Sequence, residues 1–176
     1  MGRHVALLRA VNVGGRKLPM AELRALCAEI GWADVSTFIA SGNVLFTSNG
    51  DRETLEAQLE TAIADRFQMD VPVIVRSADE WRAYPPCNPF PDAARDTPNL
   101  LMLLVSKRMP AADAAARLQA KAAPGERIAL AGDALWIHFA AGSARSKLTP
   151  TLIDKAIGSP ATSRNHNSVL KIGNLL

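Results

Sequence analysis

The sequence has few of the residues from which metal and redox sites are built. It contains two cysteines and three histidines among 176 residues. Cys27 and Cys87 form neither a Cys-x-x-Cys pair nor a disulfide framework, so we expect both thiols to be inert. No histidine, cysteine or acidic residues are clustered at metal-ligand spacing. We therefore predict no metal and no cofactor, and the cysteine usage agrees with a cytoplasmic protein.

Long apolar runs are also missing. None approaches the ~18 residues that a membrane span needs, so no membrane partner is predicted. The stretch "MGRHVALLRAVNV" superficially resembles a signal peptide, with a basic residue before apolar ones. However, Arg9 interrupts it, and no small-residue cleavage site precedes a polar start. We interpret it as a buried strand of a cytoplasmic protein.

Charge is present in moderate amount but is unevenly distributed. Residues 1–84 carry nine cations and eleven anions, whereas residues 85–176 carry eleven cations and six anions. The excess of cations over anions is greatest in residues 143–176, where Asp154 is the one acidic residue. A basic region can attract a phosphate-bearing partner, but a solvated helix face explains the same pattern.

Hydrophobic periodicity in the first half predicts six elements in the order strand, helix, strand, strand, helix, strand. The strands are "HVALLRAVN", "VSTFIA", "VLFTS" and "VPVIVR". One helix starts with Pro19 in its first turn and ends at Gly31, and the other covers residues 52–68. With right-handed crossovers, this order gives a ferredoxin-like split βαβ unit with helices on one face of a four-stranded sheet.

The second half restarts the pattern after five prolines in residues 85–98. A strand "NLLMLLVS", a helix over 111–122, a hairpin across Gly132-Asp133 and a helix from Thr149-Pro150 to Gly158 follow. In place of a fourth strand we predict a C-terminal helix over "SRNHNSVLKIG". The predicted fold is α+β, with two ferredoxin-like split units related by internal duplication and an extra C-terminal helix. The domains are residues 1–84, a proline-rich linker 85–98, and residues 99–176.

Four segments together carry a family resemblance. They are "ALLRAVNVGGRKLPMAELRAL", "TFIASGNVLF", "SKLTPTLIDKAIG" and "ATSRNHNSVLKI". In this order they resemble the bacterial domain-of-unknown-function family 1697 over essentially the whole chain. His166 departs from that pattern, because the resemblance implies a tryptophan in "RNWN". The resemblance implies a duplicated α+β fold in a small bacterial cytosolic protein, and it implies no activity.

The segment "VNVGGRKLP", residues 11–19, is a candidate anion site. It lacks the three spaced glycines of a dinucleotide loop and the Lys-Ser/Thr of a P-loop. A generic site remains open, in which a close backbone, two cations and a helix N-terminus bind an anion. The alternative is a strand-to-helix turn that needs positive φ, with exposed cations, since glycine pairs mark turns far more often than ligand sites. The candidate ligand-binding residues here are Asn12, Gly14, Gly15, Arg16 and Lys17.

Two basic segments in the second half could add to such a site. Lys147 precedes the helix that Thr149 caps, and Arg164, Asn165 and His166 are predicted in the first turn of the last helix. An arginine in that turn is explained by a carboxylate or a bound phosphate. The alternative is a capped helix docked on a core. If these helix starts converge, a basic cleft between the halves results.

Other polar positions are interpreted as structural. Gly42-Asn43 in "SGN" suits a hairpin turn, because both residues tolerate positive φ. Arg9 lies in a predicted buried strand and needs a partner. His4 and His138 lie in predicted strands without metal-ligand spacing.

Three functional hypotheses follow. The first is binding of a phosphate-bearing small molecule or nucleic-acid backbone through Arg16, Lys17, Lys147 and Arg164. The second is an enzyme with His166 as acid or base, because the ordinary histidine pKa suits neutral pH. The third is an interaction module that assembles through sheet edges or the proline-rich segment. RNA-recognition chemistry is disfavoured, because the two predicted central strands offer Phe46 as their one aromatic side chain. The oligomeric state stays open.

Overall fold

The computed structural model of the chain describes residues 1–15 and 17–176, and the chain divides into two compact units. Unit 1 comprises Met1–Trp81 and Ile172–Leu176, and unit 2 comprises Arg82–Lys171. Each unit has its own four-stranded antiparallel sheet with helices. The α+β class predicted from the sequence is therefore confirmed.

Unit 1 follows the predicted order of elements. Its strands pair in the order β2-β3-β1-β4, with every neighbouring pair antiparallel. A ferredoxin-like unit has this order, with its first and third strands at the centre. The elements are β1 (Gly2–Leu8), α1 (Met20–Glu29), β2 (Ala33–Phe38), β3 (Asn43–Ser48), α2 (Arg52–Phe67), β4 (Val73–Ser77) and α3 (Ala78–Ala83).

The core of unit 1 lies between α1, α2 and one face of the sheet. The apolar stripe predicted on α2 consists of Leu55, Leu59, Ile63 and Phe67, of which the first three are fully buried and Phe67 is partly buried. The indole of Trp32 stacks on Phe46 of the central strand β3, with ring centroids 3.6 Å apart. Each such side chain stabilises the fold by about 1.5–3 kcal/mol when it leaves water. The buried stripe explains why periodicity predicted this helix correctly.

The outer edge of β4 is protected by helix α2. Two glutamates of α2 accept hydrogen bonds from strand N–H groups, Glu60 from Val73 at 2.8 Å and Glu56 from Val75 at 2.9 Å. Glu56 is buried while it does so. An edge strand whose N–H groups are already bonded cannot pair with another chain there. This edge is therefore unsuited to the sheet-edge assembly considered above.

Unit 2 has the same strand order as unit 1, β6-β7-β5-β8, again with antiparallel neighbours. Short 3-10 helices cover Pro85–Cys87 and Ser143–Arg145. The other elements are α4 (Pro91–Asp96), β5 (Leu101–Ser106), α5 (Ala114–Gln119), β6 (Arg127–Ala131), β7 (Ala134–His138), α6 (Pro150–Ile157), β8 (Ala161–Asn165) and α7 (His166–Leu175).

A fourth strand, β8, occupies the place where the sequence predicted none, so that prediction is wrong. It pairs with β5 from Ala161 opposite Ser106 to Asn165 opposite Met102. The strand was missed because its buried face carries Thr162 and Arg164, so it lacks the apolar alternation of a half-buried strand. The predicted C-terminal helix exists as α7, but it begins at His166.

The proline-rich segment is part of unit 2, where the sequence suggested a linker. Its helix α4 buries Ala93, and Thr97 Oγ1 lies 3.0 Å from Nε2 of His138 on β7. The units divide between Trp81 and Arg82, ahead of the prolines. Proline prevents regular pairing but not packing, so its density alone does not identify a linker.

Side-chain caps fix the starts of α3 and α6. Ser77 Oγ accepts from the N–H of Glu80 at 3.2 Å, and the Glu80 carboxylate accepts from the N–H of Ser77 at 2.8 Å. Thr149 caps α6, which ends at Gly158 with φ +92°. The boundaries shift where no cap exists. Helix α1 begins at Met20 rather than Pro19, and α5 is shorter than the predicted 111–122.

Candidate functional site

The loop that joins β1 to α1 has an unusual backbone. Positive φ angles occur at Ala10 (53°), Asn12 (56°), Gly14 (60°) and Gly15 (86°). A residue with a Cβ costs about 1–2 kcal/mol of stability at such a positive φ, except Asn and Asp, whose short side chains form local hydrogen bonds. The glycines of "VNVGGRKLP" therefore do serve a turn. Arg9, predicted inside a buried strand, lies after the end of β1.

Asn12 holds this loop in place. Its Nδ2 donates to the carbonyl oxygens of Leu18, at 3.1 Å, and Ala40, at 2.7 Å. Its Oδ1 accepts from the N–H of Leu18 at 2.8 Å. Both amide hydrogens are thereby used inside the protein. The sequence predicted Asn12 as a ligand contact. In the structure, its side chain links the β1–α1 loop to the β2–β3 turn through the hydrogen bond to Ala40.

The β2–β3 turn packs directly on the same loop. A Cβ at Gly42 would lie 2.6 Å from Cγ2 of Val11 and 2.8 Å from Cβ of Leu8. The turn differs from the predicted one, because the positive φ angles fall on Ile39 (52°) and Gly42 (75°). Asn43 instead begins β3, where its buried Nδ2 donates to Phe38 O at 2.8 Å. Two motifs that the sequence shows separately thus form one surface.

A cavity of about 430 Å³ opens on this surface, lined by Asn12, Gly15, Lys17 and Pro19. Among the described residues, leaving aside its chain neighbours, none has an atom within 4 Å of a Cβ built at Gly15, so the backbone there has open space for a ligand. Lys17 is exposed beside it. We call the cavity lined by these four residues, Asn12, Gly15, Lys17 and Pro19, the loop cavity.

Helix α1 starts at the rim of the loop cavity. Its N-cap, Pro19, makes no side-chain hydrogen bond to the first turn. The first N–H groups of a helix have no partner within it, and together they carry a partial positive charge. Glu22 in the first turn partly offsets that charge. The loop cavity thus combines a lysine with uncapped helix N–H groups.

The remaining candidates lie in unit 2 or outside the described residues. Lys147 is exposed at a different cavity, of about 550 Å³, which Lys121 also lines. Arg16 lies outside the described residues. Among the described residues, no group of three histidine, cysteine or acidic side chains is arranged to hold a metal ion. Cys27 is buried, and burial raises the pKa of its thiol to about 12.

Arg164 and Asn165 belong to strand β8, so their predicted place in a helical turn is wrong. The Arg164 guanidinium is buried and donates to Thr162 Oγ1 at 3.0 Å and to Ser163 O at 2.7 Å. Burial lowers the pKa of Arg164 to about 10, which still leaves it charged at neutral pH. Asn165 caps α7 through Oδ1, which accepts from the N–H of Ser168 at 2.9 Å.

His166 is a buried ring at the start of α7. It is 8% exposed, and its centroid lies 5.9 Å from that of Trp136. Its Nδ1 has no hydrogen-bond partner among the described residues. Burial lowers the pKa of His166. A ring that is 8% exposed offers little surface to a substrate, which counts against the enzyme hypothesis.

His138 forms a network that the sequence did not reveal. Nη2 of Arg127 lies 3.3 Å from Nδ1 of His138. Because a guanidinium carries only hydrogen-bond donors, Nδ1 is the acceptor of this bond. The ring proton is then on Nε2, which donates to Thr97 Oγ1. Arg127 also bonds Asp92 at 2.8 Å. Burial, and next the charge of Arg127, lower the pKa of His138. The network fixes α4 to the sheet of unit 2.

We expect acid to weaken the fold through these two histidines. Their folded-state pKa values lie below the unfolded value of about 6.5, so the unfolded chain binds protons first as the pH falls. The free energy of unfolding should be constant above that value and decrease as the pH falls below it. Urea unfolding between pH 8 and pH 5 measures this. His138→Gln with His166→Gln should flatten the profile, and an unchanged slope would contradict the assignment.

The comparisons with known proteins agree with this architecture. Residues 1–136 match the family model described as a protein of unknown function (DUF1697). The solved structure of the conserved bacterial protein SP0830 from Streptococcus pneumoniae is similar, with a TM-score of 0.80 and 23% identity. That similarity covers 100% of this chain and 98% of the other. No curated protein matches. None of the helices in the described part of the chain is long and apolar enough to cross a bilayer.

Proposed function

The chain belongs to the DUF1697 family of proteins of unknown function, and because membership implies no activity, we propose a function from unit 1 alone. The loop cavity binds the phosphate group of a ligand. The observation that carries this proposal is a cavity of about 430 Å³ lined by open glycine backbone and an exposed lysine. This size falls in the range of about 300–1,000 Å³ of small-molecule sites.

Three features of the loop cavity support an anion rather than a neutral ligand. Lys17 supplies a full charge, and charge-assisted hydrogen bonds to phosphate are about twice as strong as neutral ones. The first N–H groups of α1 have no side-chain cap and are suited to an anion. Gly15 lets a phosphate approach the main chain closely, because no Cβ stands in the way.

The remaining sequence-based hypotheses stay predictions. Ligand contacts by Arg16, Lys147, Arg164, Asn165 and His166 are among them, as are the cytoplasmic location and the internal duplication. The enzyme alternative would need solvent-filled space beside His166, whose ring is buried. A nucleic-acid backbone could supply the same phosphate chemistry as a small molecule, and the binding test therefore includes it.

We expect pyrophosphate to bind wild type and Lys17→Ala to weaken that binding about tenfold, the loss of one charge-assisted contact. Isothermal titration calorimetry measures both affinities, and binding should weaken as salt increases. Lys155→Ala, an exposed lysine of α6 that does not line the loop cavity, is the matched control. Equal losses in both variants, or no binding to wild type, would contradict the proposal. Binding of a single-stranded oligonucleotide, but not of pyrophosphate, would identify the ligand as a nucleic acid.

A further inference from the structure

Residues 90–98, which contain helix α4, contact one end of the sheet of unit 2, and we call them the strap. Ala93 is the one residue of the strap that is buried, so polar contacts rather than apolar packing hold it in place. These contacts come from Arg127 at the start of β6 and from His138 at the end of β7, which pair in the strand register. Segments that bury little apolar surface are the first to open under native conditions.

Two side chains of the sheet hold the two halves of the strap. The Arg127 guanidinium donates to both carboxylate oxygens of Asp92, at 3.2 and 2.8 Å, and lies 4.8 Å from the centroid of the Phe90 ring. The Nη2 that bonds Asp92 also lies 3.3 Å from Nδ1 of His138. Nε2 of His138 lies 3.0 Å from Oγ1 of Thr97 at the other end of the strap. One imidazole ring therefore contacts both groups that hold the strap to the sheet.

We propose that the strap is an acid-sensitive switch, which opens when His138 takes up a proton while the rest of unit 2 stays folded. In the neutral ring, Nδ1 accepts a hydrogen bond from Arg127. In the protonated ring both nitrogens carry hydrogen, so Nδ1–H faces the donors of the guanidinium and two positive charges are in contact. Arg127 then moves away from the ring, and Asp92 and Phe90, which it contacts, move with it. This switch is independent of the phosphate site proposed in unit 1.

The charged groups around the ring set the direction of the switch. Strand β6 contributes Arg127 and helix α4 contributes Asp92, whereas Arg95 and Asp96 of α4 pair with each other at 2.7 Å. Strand β5, which also pairs with β7, has no charged side chain. Burial, and next the charge of Arg127, lower the pKa of His138, and Asp92 offsets them only in part. The closed strap therefore binds the proton less tightly than the open one, and opening is favoured as the pH falls below about 6.5.

Native-state hydrogen exchange of the full chain, followed by NMR at pH 7 and pH 5.5, tests the switch. The N–H groups of Ala94 and Thr97, which donate to carbonyl oxygens of the strap at 3.0 and 2.9 Å, report its opening. The N–H of Leu103 in the central strand β5 reports global unfolding. Each exchange rate is divided by the rate of the unstructured peptide at the same pH, which gives a protection factor. The variants are His138→Gln and, as the matched control, His166→Gln, which removes the other histidine of unit 2.

In wild type we expect the protection of Ala94 and Thr97 to fall about fivefold from pH 7 to pH 5.5, the effect of one histidine, and to stay below that of Leu103 throughout. His166→Gln should keep this fall in the strap, and His138→Gln should abolish it. Equal protection of the strap and Leu103, a strap that does not respond to pH, or a fall that persists in His138→Gln would overturn the switch. Titration of the His138 ring in wild type needs no variant to fold, and a ring pKa of 6.5 or higher would also overturn it.

Discussion

Gly42→Ala will destabilise the protein by about 3 kcal/mol, because two independent costs fall on one methyl group. The added Cβ would lie 2.6 Å from Cγ2 of Val11 and 2.8 Å from Cβ of Leu8, closer than real Cβ atoms approach. Forcing these groups apart costs about 1–3 kcal/mol. The φ of +75° adds about 1–2 kcal/mol for any residue with a Cβ. Urea unfolding followed by circular dichroism measures the change.

Gly31→Ala is the matched control for this prediction. Gly31 lies in the same unit with φ +90°, and in the described part of the chain no residue beyond its own neighbours comes within 4 Å of a Cβ built there. Only the backbone cost applies, so we expect a loss of about 1 kcal/mol. Equal losses for the two variants would show that Gly42 is needed for its φ alone. In Gly42→Ala the displaced Val11 should also disturb Asn12, and the affinity for pyrophosphate should decrease.

The order of elements could be predicted from the sequence because burial and periodicity coincide in most of them. Leu55, Leu59 and Ile63 repeat at helical spacing and face one core. Strand β8 could not be predicted in this way. Its buried face holds Thr162 and Arg164, and only pairing with β5 identifies it as a strand. A polar strand at a sheet edge is specified by contacts distant in sequence.

The candidate site could be predicted from the sequence only in part. Gly14 and Gly15 indicated a turn or an anion site; both have the positive φ that the turn needs, and the anion site stays a proposal. The positive φ at Ile39 was not predictable, because it depends on a hydrogen bond to a loop 28 residues away. One signal was nevertheless present. A ferredoxin-like unit pairs its first and third strands antiparallel, which brings Leu7 at the end of β1 opposite Asn43 at the start of β3. The predicted topology alone could therefore have placed the β1–α1 loop next to the β2–β3 turn.

Substitution of Asn12 tests the contact between the β1–α1 loop and the β2–β3 turn directly. In Asn12→Ala, the hydrogen bond to Ala40 in the turn and the two to Leu18 within the loop are lost, and alanine must adopt φ +56°. The N–H of the buried Leu18 is left without its acceptor, which costs about 1–3 kcal/mol. We expect a total loss of stability of about 2–3 kcal/mol, measured by urea unfolding.

Asn12→Gly separates the hydrogen bonds from the backbone strain, because glycine adopts positive φ freely. We expect it to recover about 1 kcal/mol relative to Asn12→Ala while remaining less stable than wild type. Both variants should lose affinity for pyrophosphate, although the Asn12 amide hydrogens point to Leu18 and Ala40 rather than to a ligand. Such a loss is expected if Asn12 positions the loop on which Gly15 and Lys17 face the cavity. Wild-type stability and affinity in Asn12→Gly would mean that the loop holds its shape without the bridge.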